Sequence, residues 1–301
     1  MQIFKIENNK LNELNEKPFK LEKEIQTIFE NNLNEVMNLQ LVKSEFVIKN
    51  KRIDTLAFDI QNNAFIIIEY KRDRNLSVVD QGFTYLSLML ENKAEFIVEY
   101  NERLNKNLKR EEIDWTQSRV VFVSTSFTEY QIQATNFKDI GIELYEVKQF
   151  DNNLVSINPI KKNASAESIK SIAEKNKEFD VVFNEIKVYT EQDHFARATE
   201  ELIELYEKFR DAILNLDSNI EIKPQKFYVA LKKDNTNIAC LELQKKRLKI
   251  FVGAKKGTLD DSKGLAKDVS QIGHYGTGDY ELHIEDDKDL EYIMSLIRQL
   301  L

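Results

Sequence analysis

With 301 residues, 42% of them hydrophobic, the chain is long enough for two domains with cores of their own, and three prolines and eight glycines exclude collagen-like or low-complexity character. A single cysteine, Cys240, excludes an intramolecular disulfide framework and a cysteine-cluster zinc site, which suits a reducing, cytoplasmic setting. The net charge of -8 argues against nucleic-acid binding over the whole surface, but it allows a local basic groove or a hydrolase whose carboxylates gather round a metal.

Leu21, Ile25, Ile28, Phe29, Leu33 and Val36 recur at helical spacing and predict a helix over 18–38, with Pro18 near its start. Three strand-like runs follow: LVKSEFVIK, RIDTLAFDI and AFIIIEYKR, separated by Asn-rich turns that signal hairpins. Val78, Phe83, Leu86 and Leu90 predict a helix over 77–92. AEFIVEY and RVVFVSTS read as strands, FTEYQIQATNFKDI as a helix and IELYEVK as another strand. The polar stretch NPIKKNASAES, near 158–168, reads as a boundary, with a charged helical segment over 165–185. Beyond it come an amphipathic helix over 194–216, three strands (QKFYVALKK, IACLELQ, RLKIFVG), a glycine-rich loop and a final helix over 287–301. No apolar run reaches the roughly 18 residues of a membrane span, and MQIFKIENNK lacks a signal peptide's apolar stretch.

The hairpins gather charge. A two-residue turn at Asn62-Asn63 sets Leu56 opposite Glu69 and Asp54 opposite Lys71, so Asp54, Glu69 and Lys71 share one face. The same count across Asn50-Lys51 brings Glu45 to that patch, although a slip of one residue would send Asp54 to the other side. Two carboxylates and a lysine suit a hard cation, Mg²⁺ or Mn²⁺, that polarises a phosphoryl oxygen and makes its bound water more acidic. The lysine would act on that water. The plainer alternatives are a cross-strand ion pair between Asp54 and Lys71, a solvated Glu22 complementing the helix dipole, and a structural Glu45.

Asp54 followed by Glu69-x-Lys71 resembles the PD-(D/E)xK nuclease superfamily. The helical Glu22 and the pair Gln81 and Tyr85 resemble the acidic helix residue and the QxxxY element of its RecB-like branch. RIDTLAFD, IIIEYKR and QGFTYL are most similar to NucS-type endonucleases, with Ile53 where the motif's name has proline. The resemblance spans about residues 20–100. It implies a restriction-endonuclease-like α/β fold, a mixed sheet flanked by helices. It also implies metal ligation by Asp54, Glu69 and the Tyr70 carbonyl, Lys71 near the attacking water, and Gln81 and Tyr85 organising the site or meeting DNA.

In the second half, KFYVAL, LELQKKRLKIFV and DVSQIGHYGTGDYEL resemble an uncharacterised domain sometimes labelled a predicted transport protein, which implies no activity. GHYGTGDYEL lacks phosphate-loop spacing and follows a predicted helix, SKGLAKDVS; it reads as a loop that needs positive φ. QKKRLK reads as a solvated hairpin tip. The expected organisation is a nuclease-like domain over 1–160, a connection over 161–189, and a smaller α+β domain over 190–301 with a three-stranded antiparallel sheet. The expected activity is metal-dependent hydrolysis of DNA. Nucleic acid is the expected partner and homodimerisation stays open. The rival readings are a nuclease-like module that binds nucleic acid without cutting it and an assembly protein.

Overall fold

The computed structural model describes residues 2–72, 78–137, 140–163, 166, 182, 185–187, 189–196, 198–245 and 247–301. The chain divides into two compact units, Met1–Lys187 and Val188–Leu301.

The first unit is built on a six-stranded sheet in the order β3-β4-β5-β6-β7-β8. Its strands are β3 (Gln40–Ile48), β4 (Lys51–Asp59), β5 (Ala64–Lys71), β6 (Arg119–Ser124), β7 (Ile142–Phe150) and β8 (Leu154–Ile160). The two hairpins and the β7–β8 pair are antiparallel, whereas β5, β6 and β7 run parallel. One face packs on α1 (Glu22–Asn31) and α2 (Leu33–Met37), through Ile25, Phe29, Leu33 and Met37 against Ala57, Ile66, Ile68 and Val121. The other packs on α3 (Val78–Glu91) and α4 (Lys93–Leu104), through Phe83, Leu86, Phe96 and Tyr100 against Leu56, Phe58, Phe65 and Ile67. Covered on both sides, β5 is apolar at successive positions, not alternate ones, up to Glu69. A short α5 (Glu129–Thr135) precedes β7. Gly82 lets α3 lie close to the sheet: a Cβ there would fall 2.5 Å from Ile142 Cδ1.

Several expectations are corrected. AEFIVEY lies in helix α4, because Phe96, Ile97 and Tyr100 share a buried helical face while Val98 points out. The helix expected over 18–38 breaks at Asn32, whose φ of -133° is not helical. Asn158–Ile160, taken as boundary, belongs to β8. An exposed hairpin of β1 (Phe4–Glu7) and β2 (Lys10–Glu13) precedes everything predicted. The charged helix expected over 165–185 lies almost wholly outside the described residues, as does most of the expected connection over 161–189.

The second unit holds the antiparallel order β13-β14-β12-β11-β10-β9. Its elements are α6 (Glu191–Phe195), α7 (Glu200–Leu214), β9 (Glu221–Pro224), β10 (Val229–Lys233), β11 (Thr236–Leu243), β12 (Leu248–Val252), β13 (Lys267–Asp268), β14 (Tyr280–Ile284) and α8 (Leu290–Arg298). The three predicted strands are the adjacent β10, β11 and β12; the flanking β9, β13 and β14 escaped the sequence. Tyr206, Phe209 and Ile213 of α7 and Ile293, Leu296 and Ile297 of α8 cover one face. SKGLAKDVS is not helical: Gly264 has φ +64°, the Asp261 carboxylate accepts from Ala266 N–H, and the segment ends in β13. The glycine-rich loop does need positive φ, at Gly276 (+97°) and Gly278 (+103°), and its His274 ring stacks on Phe251. Among the described residues no helix is long and apolar enough to cross a membrane.

Candidate active site

The site begins where the ladder between β4 and β5 stops. Pairing runs from Asp59↔Ala64 to Thr55↔Ile68. The next residues, Asp54 and Glu69, part from each other, and their side chains fill the gap. Asp54 N–H donates to Glu69 Oε1 at 3.2 Å, and Tyr70 N–H donates to Asp54 Oδ2 at 3.0 Å. Each carboxylate thus accepts a backbone N–H from the opposite strand. On its other edge β5 stays paired with β6, Glu69↔Phe122 through Lys71↔Ser124, which anchors the exit of the strand.

The expected register is corrected by two residues in both hairpins. The β4–β5 connection is the four-residue turn 60–63, held by the Asp59 carboxylate accepting from Gln61 N–H, Asn62 N–H and Asn62 Nδ2. In the β3–β4 hairpin Ile48 pairs with Lys51 and Phe46 with Ile53, so Glu45 comes opposite Asp54. A shift of two keeps every side chain on its face, which is why Asp54, Glu69 and Lys71 still converge.

Lys71 Nζ donates to Glu69 Oε2 at 3.3 Å. Gln81 Nε2, on α3, donates to the same oxygen at 3.3 Å and to Tyr85 OH at 3.4 Å, and Tyr85 OH donates to Arg52 O at 3.3 Å. Burial pushes Glu69 up to about 7, with the neighbouring Asp54 charge adding to the shift and Lys71 opposing it. Burial also raises Asp54, against the Tyr70 N–H bond. Burial raises the Tyr85 hydroxyl as well, which keeps it a donor.

Glu22 and Glu45 sit at the margin. Glu22 is exposed at the start of α1, and its Oε1 accepts from Arg72 N–H, just beyond β5, at 2.9 Å. Glu45 pairs with Lys23 Nζ at 3.1 Å and Arg52 Nε at 3.0 Å. Burial pushes the Glu45 carboxyl up, but those cations outweigh it and hold the group below its ordinary range. Its φ of +54° is a left-handed backbone costing about 1–2 kcal/mol for a residue with a Cβ.

One residue escaped the sequence. Gln26, 4% exposed on α1, donates through Nε2 to Asp54 O at 2.9 Å, to Glu30 Oε1 and to Ser44 Oγ, tying the helix to the site strand. Its signal was a polar residue inside the apolar stripe, between Ile25 and Phe29.

Among the described residues no group of three or more His, Cys, Asp and Glu side chains is arranged to hold a metal ion. What the gap offers is two hard carboxylates and a buried amide oxygen, Gln81 Oε1, without a hydrogen-bond partner. Such a donor set fits a cation that keeps most of its waters, as Mg²⁺ does, better than a closed all-protein cage.

Residues 191–299 match a family described as Domain of unknown function (DUF5655). Among solved structures, the chain is similar to the EndoMS–dsDNA2 complex, with 17% identity, 43% of this chain and 47% of that one covered, and a TM-score of 0.30. A repair endonuclease from Pyrococcus abyssi gives 18% identity, 44% and 49% coverage and a TM-score of 0.26. SfsA from Pyrococcus furiosus, in complex with Ca²⁺, gives 12% identity, 47% and 65% coverage and a TM-score of 0.26. The chain spans about half the length of the first two. An uncharacterised protein of Haemophilus influenzae is 54% identical over 299 residues, covering 99% of both chains. The chain belongs to the family of that uncharacterised Haemophilus influenzae protein.

Proposed function

We propose that the chain is a metal-dependent nuclease that hydrolyses DNA phosphodiester bonds. The observation that carries this reading is the gap between β4 and β5, where Asp54 and Glu69 face each other beside Lys71. Asp54, Glu69 and the Tyr70 carbonyl would hold Mg²⁺ or Mn²⁺. Once bound, the cation would polarise the phosphoryl oxygen and make its water more acidic. Two facing carboxylates, both raised by burial, favour such a cation because it removes their mutual repulsion.

The chain's own groups then have separate tasks. Lys71 orients the attacking water and offsets negative charge as it develops on the phosphorus oxygens. Gln81 fixes the Glu69 carboxylate, and Tyr85 fixes the Arg52 main chain behind it. Glu22 secures the β5 exit through Arg72 N–H. The nuclease domain would comprise residues 1–160, and residues 190–301 would recognise substrate or partner.

The test is nicking of supercoiled DNA in Mg²⁺ by the wild type, Asp54→Ala and Lys71→Ala. Both variants are expected to lose about 10²–10⁴-fold in rate. Equal rates in all three would remove the assignment. Binding that weakens with salt, with no cleavage in any divalent cation, would leave a module that holds nucleic acid without cutting it.

A further inference from the structure

Glu45 is an outlier. Among the described residues the other non-glycine positions with positive φ lie in turns or at helix ends, and apart from Lys49 they are Asn or Asp. Glu45 alone lies inside a strand, opposite Asp54. There the chain changes face: Ile53 packs in the α3–α4 cluster, whereas Thr55 Oγ1 donates to Glu30 on α1. Irregularities of this kind re-aim side chains beside functional sites.

What Glu45 aims at is a pair of cations. Lys23 comes from α1 and Arg52 from β4; their side chains are 56% and 68% exposed, against 35% for Glu45. Exposed ion pairs return too little stability to offset a left-handed glutamate, so the arrangement is not explained as a staple. Arg52 meets Glu45 through Nε, which leaves its two terminal nitrogens for an oxyanion that accepts through two oxygens. Lys23 also donates to Gln26 Oε1, and Gln26 in turn holds the Asp54 main chain. Tyr85 holds the Arg52 main chain. Both cations are therefore fixed relative to the two carboxylates. A polyanion approaching buried carboxylates in a chain of net charge -8 needs local positive charge beside them.

We propose that Lys23 and Arg52, set by Glu45, seat one phosphate of the nucleic-acid strand next to the position where Asp54 and Glu69 act. The seat rests on the nuclease reading and deepens it. Glu45 is then a positioning residue, which spaces the two cations while the seat is empty and gives them up to the phosphate.

The experiment is fluorescence anisotropy of a labelled DNA duplex with the full chain in Mg²⁺, in a Lys71→Ala background that slows cleavage, over a series of salt concentrations. Adding Lys23→Gln and Arg52→Gln together is expected to weaken binding about tenfold near ~0.1 M salt. It should also make the slope of log affinity against log salt shallower by about 1, the signature of one lost phosphate contact. Glu45→Gln is expected to tighten binding severalfold, because the cations lose their competitor. Thermal melts of these variants are expected to match the parent, since both cations are exposed. A parent that binds while the double variant keeps its affinity and slope overturns the seat and leaves the nuclease reading standing. A parent that binds no DNA at low salt overturns both.

Discussion

Replacing Glu69 with glutamine removes one carboxylate and leaves a side chain of nearly the same shape. In the folded chain this carboxyl is held at about 7, against an ordinary 4.5. Between those values the folded state binds a proton that the unfolded state has released, so the group's contribution to stability falls as pH rises. Integrated from pH 5 to pH 8, the difference amounts to about 2–3 kcal/mol lost by the wild type through this one site. The assay is urea unfolding in EDTA at several pH values, with wild type and Glu69→Gln in parallel. The introduced glutamine places an amide NH₂ among the donors from Lys71, Gln81 and Asp54 N–H, so the variant carries a constant offset. The slope is the diagnostic quantity. It should be flatter in the variant by about 2–3 kcal/mol over three pH units. Parallel pH profiles would refute the claim that burial, with the facing Asp54, raises the Glu69 carboxyl.

Two further substitutions test the scaffold. Asp59→Ala releases the four-residue turn that sets the register and removes one of the two carboxylates, Asp59 and Glu143, that face the Arg119 guanidinium, whose side chain is 15% exposed. A loss of about 3 kcal/mol in urea unfolding is expected, as when one partner of a buried ion pair is removed. Gly278→Ala would put a Cβ 1.8 Å from Val252 O at a φ of +103°, so calorimetry should show a fall of several degrees in the melting of the second unit.

How much of this was legible depends on what each feature rests on. The carboxylates and Lys71 were legible because strand alternation is a local rule, and an error of two in the pairing does not change a face. The turn length was not, because it depends on Asp59 folding back on Asn62, a side-chain contact with no periodic signal. AEFIVEY misled because Phe, Ile, Val and Tyr favour strands in general, while here Phe96 and Tyr100 pack against Phe58 and Phe65 at helical spacing. In the second unit β9 and β13 are only four and two residues long, and β13 and β14 owe their state to pairing with partners well separated in sequence, which local preference does not encode.

The same reasoning explains why the pocket resists reduction to a list of ligands. Asp54 and Glu69 are acceptors for backbone N–H groups that the separated strands leave open, so each carboxylate closes the sheet and also faces the gap. Removing either one strands a donor as well as deleting a charge. Lys71 supplies one positive charge to two acidic groups, and at neutral pH that balance is met by a proton or by a cation. On the proposed nuclease reading, a proton would silence the site and a divalent cation would arm it. On that reading the competition between them sits at the point where β4 and β5 part, where the same carboxylates also accept the backbone N–H groups of the strands that frame the gap.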